Sequence, residues 1–94
     1  MSANINADTI IIKSEDMLDT AIDDVAVLLS INTGKYVELN KFGLAIWELL
    51  DGKRSISMVA ENLTQKYDVK QAECETDVIE FATNLIDDNL VHIG

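Results

Sequence analysis

Gly34-Lys35-Tyr36-Val37-Glu38-Leu39-Asn40-Lys41-Phe42-Gly43-Leu44-Ala45-Ile46-Trp47-Glu48-Leu49-Leu50-Asp51-Gly52 carries a short strand straight into a helix. From Lys35 to Leu39 the residues alternate, with Val37 and Leu39 on one face and Tyr36 and Glu38 on the other, the period of a half-buried strand. Asn40 supplies an oxygen that can cap the helix beyond it. Phe42, Ala45, Ile46, Leu49 and Leu50 then recur at helical spacing until Asp51-Gly52 ends the run. No residue in the stretch offers an evident catalytic group, so it reads as part of a binding module rather than an active site.

Towards the C-terminus, Ser55 caps a second helix whose apolar stripe is Ile56, Val59, Ala60, Leu63 and Tyr67. A third helix is predicted over residues 73–89, with Val78, Phe81, Ala82 and Leu85 as its main stripe and Ile79 and Ile86 widening it sideways. Leu90 to Ile93 follows as a packed extended tail. Towards the N-terminus, Val25 to Ile31 is rich in β-branched residues, and Asn32-Thr33-Gly34 marks a turn that makes it the hairpin partner of Lys35–Leu39. Thr9 to Lys13 reads as a further short strand, and the acidic stretch from Glu15 to Asp24 as a connection. The expected order is three strands followed by three helices, an α+β chain in one domain over 1–94, with residues 1–8 frayed.

Composition bounds what such a domain does. At 94 residues there is room for one core, and 48% hydrophobic residues suffice to build it. Seventeen Asp and Glu against seven Lys and Arg give a net charge of -10, which repels phosphate backbones, and Lys53-Arg54 is the only local concentration of cations. Nucleic acid is therefore not the expected partner. Ile10–Ile12 and Val25–Ile31 are strand-sized, far short of the roughly 20 apolar residues that cross a bilayer. One cysteine excludes an internal disulfide, and no secretory signal pattern opens the sequence, so the expected compartment is the cytoplasm.

Groups capable of chemistry do not assemble. His92 stands alone in an apolar tail with no second histidine to complete a metal site. Cys74 lies between Glu73 and Glu75, the opposite of the electropositive setting a reactive thiolate needs. Asp23-Asp24 and Asp87-Asp88 lack the glycine-centred spacing of a calcium loop, and the four glycines form no phosphate-binding loop. The expectation is no catalysis, no metal and no cofactor.

The run Asp24 to Leu29, then Thr33 to Asn40, then Ala45 to Gly52, resembles the PqqD-like family of leader-peptide recognition elements, and the likeness continues through Tyr67-Asp68-Val69, Asp77-Val78, Phe81, Leu85 and Leu90-Val91. The free-standing form in lasso-peptide pathways is the branch it most resembles. Relatives in pyrroloquinoline quinone synthesis usually carry a proline ahead of the third strand, and this chain has none. The resemblance implies a winged helix-turn-helix-like fold that captures the leader of a ribosomally made precursor and presents it to a separate, cysteine-protease-like leader peptidase and then a cyclase. It implies leader contacts from Lys35, Tyr36, Val37 and Glu38 on the third strand, and from Glu75, Val78, Ile79 and Ala82 on the third helix.

Strand addition to a free edge is the physical route to such binding, with main-chain pairing for affinity and side-chain pockets for specificity. The same edge could pair with a second copy of the chain and give a homodimer. Leu39, Trp47, Leu49, Phe81 and Leu85 are expected in the core, and Asp77, near the start of its helix, in a capping or solvated role ahead of a salt bridge to a leader cation, a choice Glu75 shares. Competing readings are a peptide chaperone of pyrroloquinoline quinone type, a winged-helix regulator and a generic acidic interaction domain. Of these, the regulator would need Ser55 to Tyr67 to read a groove with only Asn62, Gln65 and Lys66.

Overall fold

A computed structural model describes residues 5–23 and 25–94. Its elements are β1 (Ile11–Lys13), β2 (Met17–Ile22), β3 (Val25–Ser30), β4 (Tyr36–Leu39), α1 (Lys41–Leu49), α2 (Ile56–Lys66), α3 (Gln71–Asp87) and β5 (Val91–Ile93). The class is α+β, with antiparallel strands ahead of three helices, and the strand membership differs from the sequence expectation in two places. The acidic segment expected as a connection is the strand β2, paired to β3 from Met17↔Ser30 to Ile22↔Val25. The strand expected first, β1, leaves that sheet and pairs instead with the C-terminal β5, Ile11 opposite Ile93 and Lys13 opposite Val91. The three-stranded sheet is therefore β2-β3-β4, with β3 in the middle.

Local chemistry explains the helix starts. Asn40 Oδ1 accepts from the Gly43 N–H at 2.8 Å, and the Ser55 hydroxyl accepts from the Met58 N–H at 3.3 Å, each satisfying one orphan donor. Between these helices, Asp51 Oδ1 accepts from the amides of Lys53 and Arg54, both at 2.9 Å, and Oδ2 meets the Arg54 guanidinium at 2.9 Å. The amides of Arg54 and Lys53 hold its carboxyl below the usual range. Arg54 is thus engaged within its own turn. The helix α3 begins two residues earlier than the sequence spacing suggests because Gln71 ties it to α2, donating to the Ser57 carbonyl at 3.2 Å. At its end Asn89 takes φ 61 and the Leu90 N–H reaches back to the Leu85 carbonyl at 2.9 Å, an αL stop that buries Leu90.

The core lies where the three helices meet the inner face of β3. Ala26 and Leu28 from β3, Leu39 from β4, Ile46 and Trp47 from α1, Val59 and Leu63 from α2, and Cys74, Val78, Ala82 and Leu85 from α3 are all buried. Fully burying a side chain of this size stabilises the fold by roughly 1.5–3 kcal/mol. The Trp47 indole N–H finds an acceptor in Asp19 Oδ2 at 3.1 Å, while Lys13 Nζ sits 4.4 Å from the ring centroid. That hydrogen bond ties β2 to α1. Ahead of β1, Ile5 packs on the core and the Ala7 carbonyl accepts from the Ser57 N–H, so residues 5–8 are docked; residues 1–4 and 24 lie outside the described set. No helix among the described residues is long and apolar enough to cross a membrane.

Candidate functional site

Among the described residues both outer strands of the three-stranded sheet present unpaired backbone, and the hydrogen-bond phase tells which groups. In the β3–β4 hairpin the Ser30 N–H donates to the Lys35 carbonyl at 2.9 Å, and Leu28 stands opposite Val37. Antiparallel pairs alternate between bonded and non-bonded, so Val37 turns its N–H and carbonyl inward to β3 while Tyr36 and Glu38 turn theirs outward. Gly34, at φ 73, makes the turn that sets this register.

Beside that edge the chain leaves a groove of about 450 Å³. One wall is β4 from Val37 to Leu39, the other is α3 through Asp77, Glu80, Phe81, Asn84 and Asp88, and the floor is α1 with Phe42, Gly43 and Ile46. Phe42 is held edge-on against Tyr67, ring centroids 5.3 Å apart, which fixes that corner of the floor. A Cβ on Gly43 would stand 3.5 Å from Phe81 Cε1, so the missing side chain deepens the groove under the aromatic ring. The site is a trough with an apolar floor and Phe81 set among acidic and amide side chains on the α3 wall, with a row of free backbone donors and acceptors along the opposite lip. A free strand edge beside such a trough has the form that strand addition uses in general, with main-chain pairing along the edge and pockets for alternate side chains.

The residues expected from sequence divide. Val37 and Glu38 line the groove, and Lys35 stands at its end with Nζ 4.0 Å from Asp88 Oδ1. Tyr36 is 68% exposed on the opposite face of the sheet and reaches the edge through its backbone. The structure does not bring the four α3 residues to the groove. Val78 and Ala82 are fully buried in the core, and half-buried Ile79 packs against that core. Glu75 accepts from Gln71 Nε2 at 2.7 Å, beside the Ser57 carbonyl, on the side of α3 that meets α2. The core stripe of α3 lies as expected at Val78, Ala82 and Leu85, which are buried, while its fourth member, Phe81, is half-buried, packing against that core and also lining the trough wall. Glu80, Asn84 and Asp88 join the site beyond the residues expected, and Asp77, for which a salt bridge to a leader cation is the lesser expectation, lines the groove with them; the signal that could have found them is their spacing, which places them along one line of α3 with Phe81.

Other chemistry-bearing groups are elsewhere. Cys74 is buried, and burial, then the Asp77 and Glu75 carboxylates, push its thiol up, the setting of an inert sulfur. His92 is exposed on β5 opposite Ile12, and no cluster of metal-ligating side chains occurs among the described residues.

Comparison with known proteins meets this geometry. The chain is 34% identical over 59 residues to a PqqA binding protein of Xanthomonas campestris pv. campestris, and 32% identical over the same length to one of Xanthomonas oryzae pv. oryzae. Those alignments cover 63% of this chain, and the chain spans 64% of the length of these curated relatives. Among solved structures it is similar to TbiB1 in complex with the TbiA(beta) leader peptide, at 29% identity and a TM-score of 0.79 over 85% of this chain and 93% of that one. It is also similar to a lasso peptide synthetase B1 complexed with the leader peptide, at 26% identity and a TM-score of 0.79 over 87% and 96%. The PqqD portion of Methylobacterium extorquens PqqCD shares the fold, with a TM-score of 0.80 over 95% of both chains at 20% identity. The family model for coenzyme PQQ synthesis protein D matches residues 26–91, which hold β4, the groove and all three helices, and the chain belongs to the PqqD family.

Proposed function

We propose that this protein captures the leader segment of a ribosomally made precursor peptide as an added strand on β4, and performs no chemistry of its own. The observation that carries the reading is the outward-turned backbone of Tyr36 and Glu38 running beside a trough walled by Phe81. Affinity comes from main-chain pairing, and specificity from the side chains that enter between β4 and α3. One or two buried anchors at roughly 1.5–3 kcal/mol each offset much of the cost of ordering a flexible leader.

The product pathway we favour is that of a lasso peptide, supported by similarity over most of the chain to two proteins solved with leader peptides bound. In this role the protein hands the precursor to a separate leader peptidase and then a cyclase. Tethering the leader raises the effective concentration of the cleavage site at the partner's active site. The reading puts the protein in the cytoplasm, where the ribosome delivers its product. A second copy competing for the β4 edge in the absence of leader is part of the same proposal. A second reading, a precursor of PqqA type, draws on the curated relatives.

The test is an amide-resolved titration of labelled protein with the leader of the precursor encoded beside its gene, and with a PqqA-type peptide as competitor. Saturable shifts along residues 36–39 and the Asp77–Asp88 line of α3 are expected with the cognate leader. Shifts restricted to other surfaces would overturn the site. Leader cleavage by the separate peptidase should be faster with this protein present, and equal rates would end the adaptor role.

A further inference from the structure

The two ends of the trough differ in charge. At the α3 C-terminal end Asp88 is met by Lys35 across the groove. At the other end Asp77 and Glu80 are exposed, and among the described residues neither has an ion-pair partner. No lysine or arginine lines the groove. Between these ends sits Phe81, next to Glu80 and one helical turn past Asp77. That separation is about 6 Å along the axis, the rise of roughly two residues of extended chain. In a strand, residues two apart point to the same side.

We infer that the leader accepted here carries a lysine or arginine two residues from the apolar side chain that seats against Phe81, so that its cation meets Asp77 and Glu80. The inference rests on the leader-binding reading of the groove and adds the class of peptide it selects. The apolar floor of the trough and the free strand edge supply the site; the two carboxylates supply the discrimination. Leaders with an acidic residue at that position are rejected, because a carboxylate there faces two others in a chain of net charge -10. The same field speeds encounter with a cationic leader, since net charge acts first on association rates.

The probe is the fluorescein-labelled leader of the precursor encoded beside the gene, measured by polarisation against the wild-type chain and the double charge reversal D77K/E80K. Both positions are exposed, so the fold should survive, and an unchanged melting temperature would confirm it. The expected result is an affinity loss of about tenfold at roughly 50 mM NaCl, shrinking as salt rises. A leader whose Lys or Arg is replaced by Glu should lose a similar factor on the wild-type chain and regain it on the reversed one. Equal affinity of both chains for the unaltered leader, or a leader with no cation two residues from its anchor, would overturn the inference while leaving leader capture standing. If the wild-type chain binds no leader, the reading of the groove fails, and this inference with it.

Discussion

Among the described residues the sheet has two open edges, and one of them faces a helix wall across a trough. On β2 the Ile31 N–H donates to the Asp16 carbonyl at 3.0 Å, a phase that turns the backbone of Met17, Asp19 and Ala21 outward, just as Tyr36 and Glu38 turn outward on β4. Unpaired donors and acceptors are therefore equally available on both sides. What differs is the neighbourhood. β4 looks across a trough at Phe81 and α3, whereas the space beside β2 is a small hollow of about 110 Å³ against Trp47 and Leu44. A bare edge offers hydrogen bonds that water offers too; an edge beside an apolar floor and an aromatic ring also removes an anchor side chain from water, which is where the net gain lies.

Both edges hang on β3, so the largest expected effect comes from its centre. Leu28 is fully buried and lies opposite Asp19 on one side and Val37 on the other. Leu28→Ala should cost about 2–5 kcal/mol in a denaturant melt and weaken leader capture through the loss of folded protein. A melt unchanged from wild type would show that the edges are held by something other than the central strand.

Phe81→Ala separates the wall from the edge. The half-buried ring packs against the core on one side and lines the trough on the other, so the substitution should cost leader affinity on the order of 1.5–3 kcal/mol in addition to a loss of stability. Calorimetry with the leader, paired with a thermal melt, reads both numbers. A loss confined to stability would return Phe81 to the core, where its place in the apolar pattern first puts it.

That misplacement shows what was legible. The three helices are written locally, in Asn40, Ser55 and the stripes that follow them, because caps and helical spacing act over a few residues. The core stripe of α3 at Val78, Ala82 and Leu85 is written in the same way, but the edge of that stripe is not, since Ile79, Phe81 and Ile86 widen it and spacing alone does not say which of them opens on a groove. Phe81 points only about 60° from Val78 around the axis, enough to move it from core to wall. The strand β2 was hidden for the opposite reason. Every residue but Met17 is exposed, so no alternation of buried and free positions marks it. It is a strand because β3 has backbone to satisfy on that side. Likewise β1 takes its partner from the far end of the chain, a pairing no local pattern announces.

Proline tests the two edges directly. Glu38→Pro deletes an outward donor of β4 and should lower leader affinity by up to about tenfold, the net value of one hydrogen bond, with the fold retained. Ala21→Pro deletes an outward donor of β2 and should leave affinity unchanged. Equal losses from both would mean that the leader uses either edge, and that the trough does not choose.

The smallest effect should have opposite signs in its two readouts. Gly43 lies inside α1, where alanine is favoured by roughly 0.5–1 kcal/mol, and its backbone needs no special conformation. An added methyl would sit at ordinary contact distance, 3.4 Å from Asn40 Oδ1 and 3.5 Å from Phe81 Cε1, so nothing has to move to admit it. Gly43→Ala should therefore raise the melting temperature while weakening the leader, because the methyl occupies the floor beneath the anchor. A variant more stable and equally tight would mean that the anchor never reaches the floor, and that the depth of the trough serves packing of Phe81 rather than the peptide.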